Sequence, residues 1–236
     1  MKRLALVLAL FVTTAALAQP GGPSTGINGA LLKMFGEITA FSAQGDVSLS
    51  DKEGKEVSSI PVNMSMLDGK LRAEMDMSQM KGGGIPADAV GMIKATGMDR
   101  LQILVNSNNA STLIIYPGLK AYTTVADEEA TPGKVETTEV GKETIDGHAC
   151  IKQKLTSTDA KGRPQEAFIW AATDLKNFPI KMEMKQKKNT IHIRFRSPSL
   201  QKPEGKLFEV PAGYTKYDSI QGLMQAAMMK MFSGGK

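Results

Sequence analysis

The sequence predicts an α+β fold: a curved antiparallel β-sheet, a half-barrel of about eleven strands, with covering helices. Three observations predict it. Apolar and polar residues alternate over successive short runs, turn-forming residues separate these runs, and three further segments carry apolar residues at helical spacing. Because short turns join antiparallel neighbours, the runs predict a meander of strands.

The alternating runs continue as far as Pro198. Their links, such as NSNN and DAKGRP, are rich in the residues that favour turns. We predict strands at residues 39–50, 57–67, 70–80, 99–106, 111–116, 120–125, 137–145, 149–157, 165–172, 179–187 and 190–197. The acidic stretch at residues 126–136 is predicted to be a long solvated loop.

One side of these strands is apolar and the other is polar. Within residues 70–80 the apolar side consists of Leu71, Ala73, Met75 and Met77. In the last two strands it consists of Ile180, Met182, Met184, Ile191, Ile193 and Phe195. Because a wide sheet with a single apolar face cannot stay flat in water, we expect this face to be concave and covered.

Three helices are predicted as the cover. The first is a short amphipathic helix over residues 27–35, and the second runs from Pro86 to Ala95, with proline at its first position and Gly97 as its stop. The third follows Ser219, a candidate N-cap, and ends near Gly234. Its apolar stripe is predicted to form a lid and includes Leu223, Met224, Met228 and Met231.

The N-terminus has the features of a secretory signal peptide. Lys2 and Arg3 precede an apolar stretch, and a small-residue cleavage motif ends at Ala18. We therefore expect residues 1–18 to be removed and the chain to be periplasmic or secreted. Residues 19–26 are predicted to be a flexible lead-in, and residues 27–236 a single domain.

Four segments resemble the bacterial lipoprotein-carrier (LolA/LolB-like) superfamily, and most closely an exported family of unknown function within it. They are ALLKMFGEITAFSAQGDVSLS at 30–50, TIDGHACIKQKL at 144–155, EAFIWAATDLKNFPIKMEM at 166–184 and LFEVPAGYTKYD at 207–218. The resemblance implies a hydrophobic cavity for acyl chains rather than a reaction.

The methionine pairs at alternate strand positions allow two readings. Thioethers are soft ligands that select Cu(I), which suggests a periplasmic copper-binding protein. Unbranched methionines also line adaptable apolar surfaces, which favours a wall that accepts a lipid or another hydrophobic ligand. We adopt the second reading and predict no metal; a structural envelope protein with a filled core is a further alternative. The predicted ligand-lining residues are Met64, Met66, Met75, Met77, Trp170, Met182, Met184, Ile193 and Phe195.

Nothing in the sequence points to an enzyme or a cofactor. The chain contains no Gly-x-Ser-x-Gly, His-Glu-x-x-His, phosphate-loop or Cys-x-x-Cys motif. His148 and Cys150 lie on one side of a predicted strand, but the sequence offers no evident acidic residue to orient the histidine. We therefore expect no catalytic residues, and since Cys150 is the single cysteine, no intramolecular disulfide.

The polar side of the sheet carries many basic residues. The formal net charge of +5 is spread along the strands, which does not indicate a nucleic-acid partner. Two readings fit this side: contact with anionic lipid headgroups of an envelope membrane, and a solvated strand face, which we favour. We expect a monomer whose partner is a lipid or hydrophobic small molecule.

Overall fold

A computed structural model describes residues 34–83, 87–109, 111–126, 136–158, 164–185 and 189–233 of the protein. The strands are β1 (Ala40–Ser50), β2 (Glu56–Leu67), β3 (Lys70–Asp76), β4 (Lys81–Gly82), β5 (Arg100–Asn106), β6 (Ser111–Tyr116), β7 (Ala121–Ala126), β8 (Glu136–Ile145), β9 (His148–Thr158), β10 (Pro164–Ala172), β11 (Phe178–Lys185), β12 (Thr190–Ser199) and β13 (Thr215–Tyr217). The α-helices are α1 (Ala87–Ala95) and α2 (Ile220–Ser233). Short 3₁₀ helices span Met77–Gln79, Pro117–Leu119, Thr173–Leu175 and Gly205–Phe208.

All thirteen strands form one open, curved sheet. Their order is β13-β7-β6-β5-β3-β2-β1-β12-β11-β10-β9-β8, with β4 paired to β2. Every pairing is antiparallel except that of β13 with β7. The predicted fold class is confirmed, and each of the eleven predicted strands is present. The two additional strands, β4 and β13, are too short to show an alternating pattern.

Two Asp-Gly pairs make the tight turns of this sheet. Asp68 and Gly69 join β2 to β3, and Asp146 and Gly147 join β8 to β9. All four residues have positive φ, at 46°, 81°, 52° and 85°. Two consecutive residues with positive φ match the twist of the flanking strands, and this is why Asp-Gly is favoured in two-residue hairpins.

The sheet buries a large apolar cluster on the side that we call the inner face. At one part of it Phe35, Phe41, Phe178 and Phe195 form a quartet of rings, all six pairs of which have centroids 4.6–6.2 Å apart. Each of these residues is at most 1% exposed. The quartet is therefore a filled part of the core, and it joins the segment before β1 to β11 and β12.

The C-terminal segment crosses the outer face of β5 and β6 before it returns to the sheet edge. Phe208 is buried against Leu104 and Ile115, and Val210 and Tyr214 pack beside it. The guanidinium of Arg72 donates a hydrogen bond to the carbonyl oxygen of residue 207. These contacts place the next residues beside β7, where β13 pairs in parallel.

Helix α2 begins and packs as its sequence suggests, but its buried stripe is narrower than predicted. The backbone N–H of Gly222 donates to Ser219 Oγ at 3.1 Å, which confirms the N-cap. Leu223 is fully buried and Ala227 nearly so, and the helix contacts β7 and β13. Met224 is partly buried, whereas Met228 is 54% exposed, so its predicted place in the covering stripe is wrong.

Several predictions fall outside the described residues. They are the signal peptide at 1–18, the lead-in at 19–26, most of the helix at 27–35, most of the loop at 126–136 and the side chain of Met231. The assignment of residues 27–236 to one domain also stays a prediction. Neither α1 nor α2 combines the length and apolar composition that a membrane-spanning helix requires.

Candidate ligand-binding face

Most of the predicted lining residues lie together on the inner face. Met64, Met66, Met75, Met77, Met182, Ile193 and Phe195 belong to the large apolar cluster, and Met184 packs against it. The methionines of this group come from β2, β3, β11 and the 3₁₀ turn that follows β3. The structure therefore brings together eight of the nine predicted residues, whereas their contact with a ligand stays a prediction.

The strand register surrounds each strand methionine with other apolar residues. Met64 lies opposite Ala73 and Ala43, and Met66 lies opposite Leu71 and Phe41. Met75 lies opposite Val62 and Leu101, Met182 opposite Ile169 and Ile193, and Met184 opposite Ala167 and Ile191. No methionine in these strands faces another directly across a strand pair, so the register by itself assembles no thioether cluster.

Two neighbouring residues of the inner face are partly exposed. Ala73 on β3 and Ile103 on β5 lie directly opposite each other, and both are only partly buried. Their strands have neighbours on both sides, so this exposure does not come from a sheet edge. Ala73 also lies opposite the buried Met64. Apolar surface is therefore partly exposed beside Met64.

Trp170 is not beside the methionines. It belongs to a separate buried cluster with Cys150, Ala172 and Ile180, on the outer face of β9–β11. Alternation along β10 accounts for Trp170, because Ala167 and Ile169 face the inner cluster. A β-bulge accounts for Ile180: the β10–β11 register shifts between Trp170 and Ala171, and Ile180 is the additional residue, so it joins Lys181 on the outer face although alternation predicts that it faces inward with Met182. The predicted placement of Trp170 and Ile180 on the inner face is therefore wrong.

The outer face around Trp170 alternates aromatic rings with ammonium groups. Lys152 and Lys181 place their Nζ atoms 4.5 and 4.1 Å from the Trp170 ring centroid, and Trp170 Nε1 donates to Glu143 Oε2 at 2.6 Å. Lys152 and Lys185 lie 5.5 and 5.3 Å from the Phe168 centroid. Cation–π contacts of this kind hold the lysine chains down over the rings and cover them from solvent.

Carboxylates pair with several cations on this face. Arg194 pairs with Asp146, Arg196 with Asp46, Lys154 with Glu166, and Lys181 with Glu183. Burial alone would raise the pKa of Glu183, but hydrogen bonding and charge from Lys181 hold that pKa below its ordinary value. This pairing reduces the positive charge that the face offers to a membrane, and contact with a membrane surface stays a prediction.

His148 has an acidic partner that the sequence does not reveal. Its Nδ1 atom lies 2.7 Å from Asp174 Oδ2, contributed by the 3₁₀ turn after β10. The thiol of Cys150 donates instead to the backbone oxygen of His148 at 3.4 Å, so the histidine ring is not its hydrogen-bond acceptor. Within the described residues no group of three His, Cys, Asp or Glu side chains is placed to hold a metal.

We expect Cys150 to be unreactive in the folded protein. Burial raises the pKa of its thiol, and the side chain is nearly inaccessible at 3% exposure. Because the thiolate is the reactive species, a disulfide reagent such as Ellman's reagent should label it very slowly at neutral pH. Labelling should reach one thiol per chain within minutes after unfolding in guanidinium, which serves as the control. Fast stoichiometric labelling of the native protein would contradict the buried placement.

Fold and site together define an open antiparallel sheet with an apolar, methionine-rich inner face and a covering terminal helix. No family model matches the sequence, and no curated protein matches it either. Solved structures that resemble the chain include a LolA superfamily protein from Nitrosomonas europaea, with 11% identity, a TM-score of 0.36, and coverage of 79% of this chain and 97% of that one.

Two further structures resemble the chain to a similar degree. The lipoprotein LppX of Mycobacterium tuberculosis has 12% identity and a TM-score of 0.41, covering 83% of this chain and 98% of that one. A DUF1329 family protein from Desulfovibrio piger has 10% identity and a TM-score of 0.36, covering 79% and 97%.

Proposed function

We propose that this protein is an exported, non-enzymatic binding protein that holds a lipid or another hydrophobic ligand against its inner face. The observation that carries the proposal is the apolar surface left partly exposed at Ala73 and Ile103, which pack against the buried inner cluster. Exposing apolar surface to water is unfavourable. A hydrophobic ligand that covers this surface removes it from water, which favours binding.

The composition of the surrounding wall supports a ligand of variable shape. Four methionines, Met64, Met66, Met75 and Met77, come from adjoining elements of the inner face. Methionine side chains are unbranched and adaptable, which suits a surface that must repack around different ligands better than one that must define a rigid core. Each methylene of an acyl chain buried here would contribute about 0.8 kcal/mol.

A blocking substitution tests the proposal directly. Ala73→Leu adds bulk at a partly exposed position of the inner face, so we expect the variant to remain folded and to lose ligand affinity. A steric clash of this kind typically costs about 1–3 kcal/mol, which corresponds to roughly 5- to 150-fold weaker binding. The affinity of a fluorescent apolar probe, N-phenyl-1-naphthylamine, measures the effect.

Ala149→Leu is the matched control because Ala149 is an exposed strand alanine at the other end of the sheet, on β9. It should leave the affinity for the probe unchanged. Equal affinities in wild type and Ala73→Leu, with both proteins folded by circular dichroism, would exclude this face as the binding site.

Organic extraction of the purified protein separates the alternative functions. Mass spectrometry should detect a co-purifying lipid or other apolar molecule, and a metal assay should detect no stoichiometric copper. Stoichiometric copper bound in a methionine-dependent way would replace the proposal with the copper-binding alternative. The absence of both ligands, together with no probe binding, would favour a filled structural core.

A further inference from the structure

The inner face holds one buried hydroxyl group that has no partner. Thr123 on β7 is 1% exposed, and its Oγ1 atom makes no hydrogen bond within the part of the chain that the structure describes. Buried polar groups are almost always paired because an unpaired one forfeits its hydrogen bonds with water. Such an atom is therefore a candidate contact for something that enters the site.

The strand register fixes where this hydroxyl lies. Thr123 is directly opposite Ile114 of β6, which belongs to the inner apolar cluster, and its other neighbour is Tyr217 of β13. Directly opposite residues project from the same face of a sheet. Helix α2 contacts both β7 and β13, so the hydroxyl belongs to the part of the inner face that this helix adjoins.

A single cross-strand row connects this hydroxyl to the methionines. The row runs from Thr123 through Ile114, Ile103 and Ala73 to Met64. Its four strand spacings of about 4.8 Å give a length on the order of 19 Å along the sheet. Of its three inner members, Ile103 and Ala73 are partly exposed and Ile114 is buried. The row thus has a buried polar end at Thr123, a partly exposed apolar stretch at Ile103 and Ala73, and a buried methionine end.

The surroundings of the polar end are unsuited to a charged group. Tyr116 of β6 faces the same cluster, two positions along the strand from Ile114. Burial raises the pKa of Tyr116 to about 12, and burial is the only cause of that shift. Among the described residues, the inner-face neighbours of Thr123 on β6 and β7 are Ile114, Tyr116 and Ala121, so a carboxylate or phosphate placed here would be desolvated among apolar or neutral side chains.

We infer that the ligand of this face is a neutral amphiphile, such as a long-chain alcohol or a monoacylglycerol, whose polar end hydrogen-bonds to the Thr123 hydroxyl while its chain follows the row toward Met64. This inference rests on the proposed function. It adds that the ligand has a neutral polar end and that its chain runs from Thr123 toward Met64. It separates neutral polar-headed ligands from fatty acids and phospholipids, whose charged heads would be left unpaired at this end.

Thr123→Val tests the inference because it removes the hydroxyl and keeps the shape of the side chain. The ligands are dodecan-1-ol, dodecane and dodecanoate, each measured by displacement of N-phenyl-1-naphthylamine from the full-length protein. The wild type should bind the alcohol better than the alkane by roughly two- to tenfold, the usual range for one net hydrogen bond. Thr123→Val should abolish this preference without weakening binding of the alkane.

Thr124→Val is the matched control, since Thr124 is the adjacent, exposed threonine of the same strand. It should preserve the preference for the alcohol. A preference that persists in Thr123→Val, or tighter binding of dodecanoate than of the alcohol, would overturn the inference and leave the proposed function standing. Failure of all three ligands to displace the probe would instead overturn the proposed function.

The stability of the free protein provides a second measurement. Without ligand, Thr123→Val should unfold at the same temperature as the wild type or at a higher one, because it removes a buried polar group that lacks a partner. A clearly lower unfolding temperature would mean that the hydroxyl is already satisfied in the free protein, by a buried water or another group. That result would also overturn the inference.

Discussion

Phe195→Ala is expected to lower the free energy of unfolding by about 3–5 kcal/mol, the usual cost of deleting a fully buried aromatic ring. Phe195 is 0% exposed, and its ring lies 5.4 Å from that of Phe178 and 6.2 Å from those of Phe35 and Phe41. The cavity left by its removal is bounded by three other rings that cannot all collapse into it. Domains are typically stable by about 5–15 kcal/mol, so this loss is a large part of the total.

Guanidinium denaturation of wild type and variant measures this loss, provided that the slope of the transition is unchanged. Phe168→Ala is the control, because Phe168 is only partly buried and lies on the outer face beside Lys152 and Lys185. Its cost should be less than half of that for Phe195. Equal losses at the two positions would mean that the ring quartet is not the tightly packed part of the core.

The strand pattern was predictable because its causes are local. Alternation within residues 57–67 and 100–106 depends only on which side chains face the core, and the Asp-Gly turn at 68–69 is specified by the two residues that adopt it. Dependence on a local pattern also explains why the predicted inward placement of Ile180 is wrong. The bulge that places Ile180 beside Trp170 is a property of the β10–β11 register, and alternation read along one strand continues straight through it.

The candidate site was only partly predictable because it depends on strands that are distant in sequence. The sequence indicates that Met64 and Met75 face the same way as other apolar residues. The row from Thr123 to Ala73 requires that β5 pairs with both β6 and β3, and the ring quartet requires that β1 pairs with β12. The unpaired hydroxyl of Thr123 follows from that arrangement, and no pattern around it in the sequence distinguishes it from a surface threonine.

Helix α2 is a second case in which the sequence of one element does not determine which of its residues are buried. A stripe that includes Leu223, Ala227 and Met228 fits helical spacing, but a helix lying on two strands at a sheet edge buries only a narrow part of its surface. Leu223 and Ala227 are covered, whereas Met228 and Met229 are 54% and 73% exposed. The width of the buried stripe is set by the partner surface, which the sequence of the helix does not contain.

Gly45→Ala is expected to destabilise the protein by about 1–3 kcal/mol or more, because β1 and β12 leave no room for a side chain at this position. A Cβ atom on Gly45 would lie 2.5 Å from the backbone oxygen of Arg194 and 3.2 Å from Cδ1 of Phe195. The backbone oxygen belongs to the β1–β12 pairing and cannot move away without disturbing it. Gly205→Ala, which would meet no atom within 4 Å, is the control and should change stability by less than about 0.5 kcal/mol.

The double variant Gly45→Ala/Phe195→Ala identifies which contact is responsible. If the clash with the ring dominated, deleting the ring would relieve it, and the double variant would be markedly more stable than the sum of the single losses implies. The 2.5 Å approach to the Arg194 oxygen is the closer of the two and remains after the ring is removed. We therefore expect the two losses to be nearly additive, because glycine is needed here for the approach of two backbones rather than for the packing of the ring.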